Sequence, residues 1–216
     1  YVDRGEFTMS GGKITQNIST HYSGGVYVKS GTFTMNEGGE ITGNTGKNGG
    51  GVYVGQIGTF TMTGGKITGN TNSAANGGSG VYLEYDGGTF NMDGGEITGN
   101  TNSAEDGGGG VYVGQFGTFT MTGGTITGNN TSATDNSSAG GIFMNGTITV
   151  SGAAKIIDNW KNGELEAGVY KRGDGTASNV YLPNSAIITI GETGLAQDAR
   201  IGLSKSADEL PGEGYE

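Results

Sequence analysis

The chain has 216 residues, enough for a single domain, of which 48 are glycine and only 2 are proline. No Gly-X-Y period is present, which excludes collagen, and the regular placement of the apolar residues argues against a disordered tract. The formal net charge is −10 and the 11 basic residues are dispersed, so we expect no nucleic-acid partner.

Two further features of the sequence bear on where the protein is located. Cysteine is absent, which suits extracellular exposure. No apolar run approaches the length of a transmembrane helix and no signal peptide opens the sequence, so we expect no membrane insertion in this part of the chain. The first residue is Tyr1, just before a repeat, and we expect the chain to be part of a larger multidomain protein that carries the targeting signals.

Three short apolar segments recur together every 26 to 30 residues, and residues 110–129, GVYVGQFGTFTMTGGTITGN, contain one complete set. The first segment resembles FTM and begins at Phe7, Phe33, Phe60, Phe90, Phe119 and Ile148. The second segment resembles ITGN and ends at Asn17, Asn44, Asn70, Asn100, Asn129 and Asn159. The third segment resembles VYV and begins at Val26, Val52, Val81, Val111, Ile142 and Val169.

Each segment alternates apolar and polar residues over three to five positions, which is the period of a β-strand. Glycine-rich turns separate the segments, and most of the length variation falls in the loop after the Asn of the second segment. Insertions at one corner are typical of solenoids. The sequence therefore predicts an all-β fold, a right-handed parallel β-helix with three short strands per coil and about six to seven coils.

The pattern weakens after Asn159, and we interpret residues 1–159 as β-helix repeats and residues 160–216 as degenerate last coils with a C-terminal closing coil of the same domain. Val169 and Tyr170 are predicted to lie in the last third segment. Residues 179–183 and 186–190 are predicted to form strands of a shorter final coil, and residues 195–203 to close the end.

Stacking of successive coils turns each repeat position into a column along the solenoid. We expect the Phe and Met of the first segment, the Ile of the second and the two Val of the third to fill the core. The Asn column is predicted to be a ladder of hydrogen-bonded amides. The residue before each second-segment Ile alternates in charge over four coils, which favours the correct register: Lys13, Glu40, Lys66, Glu96, Thr125 and Lys155.

The central residue of the third segment should point away from the core, because both of its neighbours point inward. These rings can stack on a β surface, or they can form a contact face, since rigid aromatics supply contact area at low entropic cost. We name the five tyrosines of this column as candidate ligand-binding residues: Tyr27, Tyr53, Tyr82, Tyr112 and Tyr170.

The first segment carries threonine on both sides of its inward Phe, as at Thr59 and Thr61 or at Thr118 and Thr120. Threonine suits an exposed strand, which explains the pattern without a ligand. A flat Thr-x-Thr array also resembles the ice-binding faces of some β-solenoids, although Asn91 interrupts it.

No catalytic constellation emerges from the sequence, so we expect a protein that is not an enzyme. Acidic residues concentrate in the third and fourth units, where Asp86 and Asp93 flank the turn into a strand. These two are candidates for Ca²⁺ binding or for a carboxylate pair, although we favour a solvated acidic surface as the explanation. We expect no cofactor, with Ca²⁺ as the single candidate. The lone His21 has no acid or nucleophile beside it.

The motifs GGVYV, GTFTMTGGKITGN and NVYLPNSAIITI together resemble the β-helix repeats of bacterial and archaeal adhesin-like cell-surface proteins, within the broad pectate-lyase-like superfamily. The resemblance covers nearly the whole chain. It implies an extracellular module, at the cell surface or secreted, that acts in adhesion or as a rigid stalk. The partners it implies are a glycan or a host or cell-surface protein, which the tyrosine column would bind. The alternative is a carbohydrate-active β-helix enzyme, such as a polysaccharide lyase or hydrolase.

Overall fold

The computed structural model describes residues 1–74, 77–133, 138–183 and 186–203. Within these residues every regular element is a β-strand. A search of the same residues finds no helix of the length and apolarity needed to span a membrane. The last part of the predicted C-terminal closure, residues 204–216, lies outside the described residues.

The strands stack in three main sheets, one for each predicted segment. The first sheet consists of Glu6–Met9, Thr32–Met35, Thr59–Met62, Thr89–Met92, Thr118–Met121, Thr147–Gly152 and Ile188–Leu195. The second consists of Gly12–Thr15, Gly39–Thr42, Lys66–Thr68, Glu96–Thr98, Thr125–Thr127, Lys155–Ile156 and Arg200–Ile201. The third consists of Val26–Val28, Val52–Val54, Val81–Leu83, Val111–Val113, Ile142–Met144 and Val180–Tyr181.

Two minor sheets occupy the loop after each second segment, which the prediction of three strands per coil did not include. The corner sheet consists of Thr45–Gly46, Thr71–Asn72, Thr101–Asn102, Asn130–Thr131, Trp160–Lys161 and Thr176–Ala177. The glycine sheet consists of Gly77–Gly78, Gly107–Gly108 and Ser138–Ala139. The variable loops are therefore partly ordered into sheets of their own.

Strands of the three main sheets pair in parallel with their counterparts one coil away, as predicted. Equivalent residues lie opposite each other, for example Phe33 opposite Phe60 and Tyr53 opposite Tyr82. The third sheet spans about five full turns of this parallel β-solenoid. This number is slightly lower than the six to seven coils expected, because the last coil contributes only the strands Ile188–Leu195 and Arg200–Ile201.

The core lies inside the coils and has the composition that the periodicity predicted. One apolar cluster contains the Phe and Met of the first sheet, the Ile of the second and the inward-facing residues of each third-sheet strand, whereas Phe7 in the first coil is exposed. The phenylalanine rings stack nearly parallel, with centroids 4.8 to 5.1 Å apart from Phe7 to Phe119. Each fully buried ring contributes roughly 1.5–3 kcal/mol of transfer free energy, so the column stabilises every coil through its two neighbours.

The predicted asparagine ladder is present and buried. The side chains of Asn44, Asn70, Asn100, Asn129 and Asn159 are fully buried. In each coil the side-chain and backbone N–H groups donate to the amide oxygen of the next ladder residue, as Asn70 does to Asn100 at 3.0 and 2.9 Å. The side chain of Asn70 also donates to the backbone carbonyl of Ile41, which belongs to the preceding coil. The ladder thereby satisfies amide groups that would be costly to bury unpaired.

The C-terminal coil differs from the prediction in one respect. Val169 and Tyr170 do not join the third sheet, because the strand Val169–Lys171 pairs antiparallel with Glu164–Glu166 in a hairpin. The place of the last third segment is taken by Val180–Tyr181, which pairs with Ile142–Met144. The hairpin lies against the outside of the coils, where the Tyr170 backbone N–H donates to the carbonyl of Gly128 at 3.0 Å.

Candidate functional site

The predicted tyrosine column exists, with Tyr181 in place of Tyr170 at its C-terminal end. Rings one coil apart have centroids 4.8 to 5.2 Å apart, and the rings become more nearly parallel toward Phe143. Together with Ala139 they form a second apolar cluster, separate from the core. The prediction that they lie outside the core is therefore correct.

The prediction that this column is exposed is wrong. Tyr53 and Tyr112 retain 2% of their accessible surface and Tyr82 retains 6%. Only Tyr27 and Tyr181, near the two ends of the column, are partly exposed. A ligand could not lie across the faces of the central rings. The column therefore does not form the contact face that the sequence suggested.

The glycine sheet explains this burial. A Cβ atom added to Gly78 would lie 2.9 Å from the Cβ and the backbone nitrogen of Tyr112, so only a residue without a side chain allows this approach. The loop that carries Gly78 is fixed by Asn72, whose amide oxygen accepts a 2.7 Å hydrogen bond from the Ser79 hydroxyl. The variable loops thus fold back over the tyrosines and cover them.

Burial also changes the acidity of these tyrosines. It raises the pKa of Tyr53 and Tyr82 above the ordinary value of 10.0, and the nearby carboxylate of Glu84 adds to the effect in both cases. The pKa of Tyr112 is also raised by burial, although a hydrogen bond from Asn145 opposes the increase. These three phenols therefore keep their protons at neutral pH and are poor candidates for proton transfer there.

The charged column on the second sheet has the predicted register. Lys13 lies opposite Glu40, and Glu40 lies opposite Lys66. Ion pairs form between Lys13 and Glu40 at 2.7 Å and between Lys66 and Glu96 at 3.1 Å. At the last rung Lys155 faces Arg200, and its 3.1 Å contact with Asp198 compensates for the like charge. Each of these exposed ion pairs contributes less than about 1 kcal/mol to the free energy of unfolding. Their main effect is to favour the correct register between neighbouring strands.

An open groove of about 440 Å³ runs along the turns between the first and second sheets. Its lining includes Glu37, Glu40, Lys66 and Glu96, separated by glycine backbone. Three carboxylates and a lysine therefore border this concave surface. Two of the carboxylates are already engaged, since Glu40 pairs with Lys13 and Glu96 pairs with Lys66.

The two candidate calcium ligands are not brought into a metal cluster. Asp86 is exposed at a turn, while Asp93 accepts a 2.7 Å hydrogen bond from the hydroxyl of Thr122 one coil away. A search of the described residues finds no group of three or more His, Asp or Glu side chains arranged to hold a metal ion. His21 contacts the hydroxyl of Thr20 in an exposed loop.

The outer surface of the first sheet is a regular array of hydroxyl groups, which we call the hydroxyl face. Its residues are partly or fully exposed and lie opposite one another in successive strands. They are Thr32, Thr34, Thr59, Thr61, Thr89, Asn91, Thr118, Thr120, Thr147 and Thr149. A neighbouring polar column is hydrogen-bonded between coils, since the Thr63 hydroxyl donates to Asn36 at 2.9 Å. This face carries few charges, although the chain as a whole is acidic.

A row of exposed apolar side chains borders the hydroxyl face, and we call it the apolar ridge. It consists of Ile57, Tyr85 and Phe116, which retain 72%, 51% and 65% of their accessible surface. Each lies in the turn that connects the third sheet to the first, in three successive coils. Sequence reasoning missed this ridge because it followed the strands. The recurrence of a large apolar residue in three turns that otherwise contain only glycine and polar or charged residues was the available signal.

Comparisons of the chain with protein-family models, with curated proteins and with solved structures return no match. The relationship to adhesin-like cell-surface proteins therefore stays an expectation from the sequence motifs.

Proposed function

We propose that this chain is a non-enzymatic module of a cell-surface or secreted protein, which acts in adhesion or as a rigid stalk. The single observation that carries the proposal is the uninterrupted stacking of every coil on the next. The Phe column, the Asn ladder and three parallel sheets run side by side through the solenoid. Such a rod resists bending because each contact is repeated in every coil.

The outer surface supports the same proposal. Threonine recurs at most positions of the hydroxyl face, with Asn91 as the exception, so a ligand with repeating units meets similar polar chemistry at ~4.8 Å intervals along the axis. Repeated weak contacts combine into strong attachment when they are held on one rigid body. Both a stalk and an adhesive surface benefit from this periodicity.

A flow experiment tests the proposed function. Beads coated with the purified chain should be retained under shear on surfaces coated with glycans or extracellular proteins, while beads coated with heat-unfolded chain should wash off. If the folded chain gives no retention on any surface, adhesion is excluded. A stalk role then requires solution scattering to give a rigid elongated particle, and a flexible particle would exclude that role as well.

The groove beside Glu37, Glu40 and Glu96 favours one alternative, a carbohydrate-active enzyme, because glycoside hydrolysis uses paired carboxylates. A depolymerisation screen on neutral and acidic polysaccharides tests it. Activity that disappears in Glu37→Gln/Glu40→Gln would establish an enzyme. No cleavage of any polymer in the screen would leave the non-enzymatic proposal standing.

A further inference from the structure

The geometry points to the apolar ridge and the bordering hydroxyl face as a binding surface for a neutral, unbranched polysaccharide chain that lies along the solenoid axis. This inference rests on the proposed adhesive function and specifies its surface and its ligand. It transfers the contact role from the buried tyrosine column to Ile57, Tyr85 and Phe116, whose side chains are exposed.

The ridge is rigidly presented, which lowers the entropic cost of binding. Ile57 and Phe116 lie in turns closed by hydrogen bonds from Gly58 to Gly55 at 2.9 Å and from Gly117 to Gly114 at 2.8 Å. The turns are also tied to each other, since the backbone N–H of Phe116 donates to the carbonyl of Tyr85 at 3.1 Å. Because the turn backbones are fixed before binding, little ordering is needed when a ligand arrives.

The ridge chemistry matches one face of a sugar ring. The centroids of Tyr85 and Phe116 are 6.2 Å apart and their planes are inclined at 83°. An aromatic face is electron-rich, and the C–H face of a pyranose presents weakly positive hydrogens to it. Sugar hydroxyls at the ring edge would then lie toward Thr89, Thr118 and neighbouring threonines, which both donate and accept hydrogen bonds.

The surrounding charges favour a neutral ligand over an acidic one. Asp86 is exposed beside Tyr85 in the same turn, and Glu84 precedes it. The chain carries a formal net charge of −10 with only 11 basic residues, so a polyuronate would be repelled over long distances. From Thr32 to Thr149 the hydroxyl face contains no charged group, and Glu6 lies beyond it in the first strand.

The shape of the surface favours a polymer chain over a folded protein. The ridge is one side chain wide and three coils long, and hydroxyl groups flank it. A stable protein interface buries roughly 1,200–2,000 Å² around a continuous apolar centre, which this narrow row does not provide. A polysaccharide chain needs only a narrow row of apolar contacts with hydroxyl partners beside it.

Co-sedimentation with insoluble polysaccharides tests the inference. The probes are cellulose, mannan and chitin as neutral polymers and cross-linked polygalacturonate as the acidic polymer. We expect the chain to bind at least one neutral polymer more tightly than polygalacturonate. The double variant Tyr85→Ala/Phe116→Ala should bind that polymer at least about tenfold more weakly, whereas Phe116→Trp should retain binding. Because both side chains are exposed, circular dichroism should show an unchanged fold.

The matched control is Leu165→Ala, which removes an exposed apolar side chain from the hairpin, where 61% of its surface is accessible. It should leave binding unchanged. The inference is overturned if no neutral polymer binds, if polygalacturonate binds best, or if the double variant binds as well as the native chain. Beads that adhere to protein-coated surfaces equally with and without the double substitution would overturn this inference while preserving the adhesive function.

Discussion

Two aromatic columns run side by side through this protein, and they differ in what covers them. The phenylalanine column lies inside the coils, where side chains from all three main sheets surround it. The tyrosine column lies outside the third sheet and is covered by the glycine sheet and its loops. The central rings of both columns are nearly inaccessible to solvent. The difference teaches that a residue pointing away from a solenoid core is not thereby exposed, because a loop can form a second layer.

The largest effect should follow truncation of the inner column. Phe90 is fully buried and stacks on Phe60 and Phe119, so Phe90→Ala should lower the free energy of unfolding by about 3–5 kcal/mol. Urea denaturation measures this change. The control Phe116→Ala removes an exposed ring from the apolar ridge and should cost less than about 0.5 kcal/mol. Equal losses of unfolding free energy in the two variants would contradict the burial of Phe90 in the core and the exposure of Phe116 on the ridge.

A smaller effect should follow disruption of the cover over the tyrosines. A side chain at Gly78 would collide with Tyr112 and with the Val81 carbonyl, so Gly78→Val should destabilise the protein by about 1–3 kcal/mol and displace the loop. The near-ultraviolet circular dichroism of the tyrosines should weaken as their packing is lost. Gly5→Ala is the control, because a Cβ there meets only a carbonyl at 4.0 Å. An unchanged tyrosine signal in Gly78→Val would show that the loop does not hold the column.

The smallest effect appears only at alkaline pH. Burial raises the pKa of Tyr82 above 10.0, so the folded state keeps its proton after the unfolded state has lost it. This contribution is complete below the unfolded pKa and is lost as pH rises above about 10, so the unfolding temperature should fall there. Tyr82→Phe should make that fall less steep and change little at neutral pH. Identical slopes in Tyr82→Phe and the native protein would contradict the burial of the phenol.

The main sheets, the core columns and the asparagine ladder were predictable from the sequence, because each leaves a side chain that recurs at a fixed place in every coil. The burial of Tyr53 and Tyr82 under the variable loops was not predictable. Gly77 and Gly78 in those loops carry no side chain, so they add no apolar residue to the repeat pattern. The close approach of Gly78 to the Cβ and the backbone nitrogen of Tyr112 is encoded only by the missing Cβ atom.

The misplacement of Tyr170 has a different physical cause. The sequence Gly168-Val169-Tyr170 matches the start of a third segment. However, Gly168 has a φ of +80° and lies in the turn of a hairpin. The strand that completes the coil follows Asn179, which accepts hydrogen bonds from Asn159. The local sequence could not show whether Val169–Lys171 or Val180–Tyr181 completes the coil, because this depends on which of the two strands pairs with Ile142–Met144.

The asparagine ladder also gives the solenoid a net dipole along its axis. In each ladder amide the C=O points toward the preceding coil and one side-chain N–H donates toward the next, from Asn17 to Asn44 and onward to Asn179, while a second N–H donates to a backbone carbonyl. The amide dipoles therefore add along the axis with their positive end toward the C-terminal coils, which is the reverse of an α-helix. Because each amide is polarised by the one before it, a break in the middle of the series weakens the interactions on both sides.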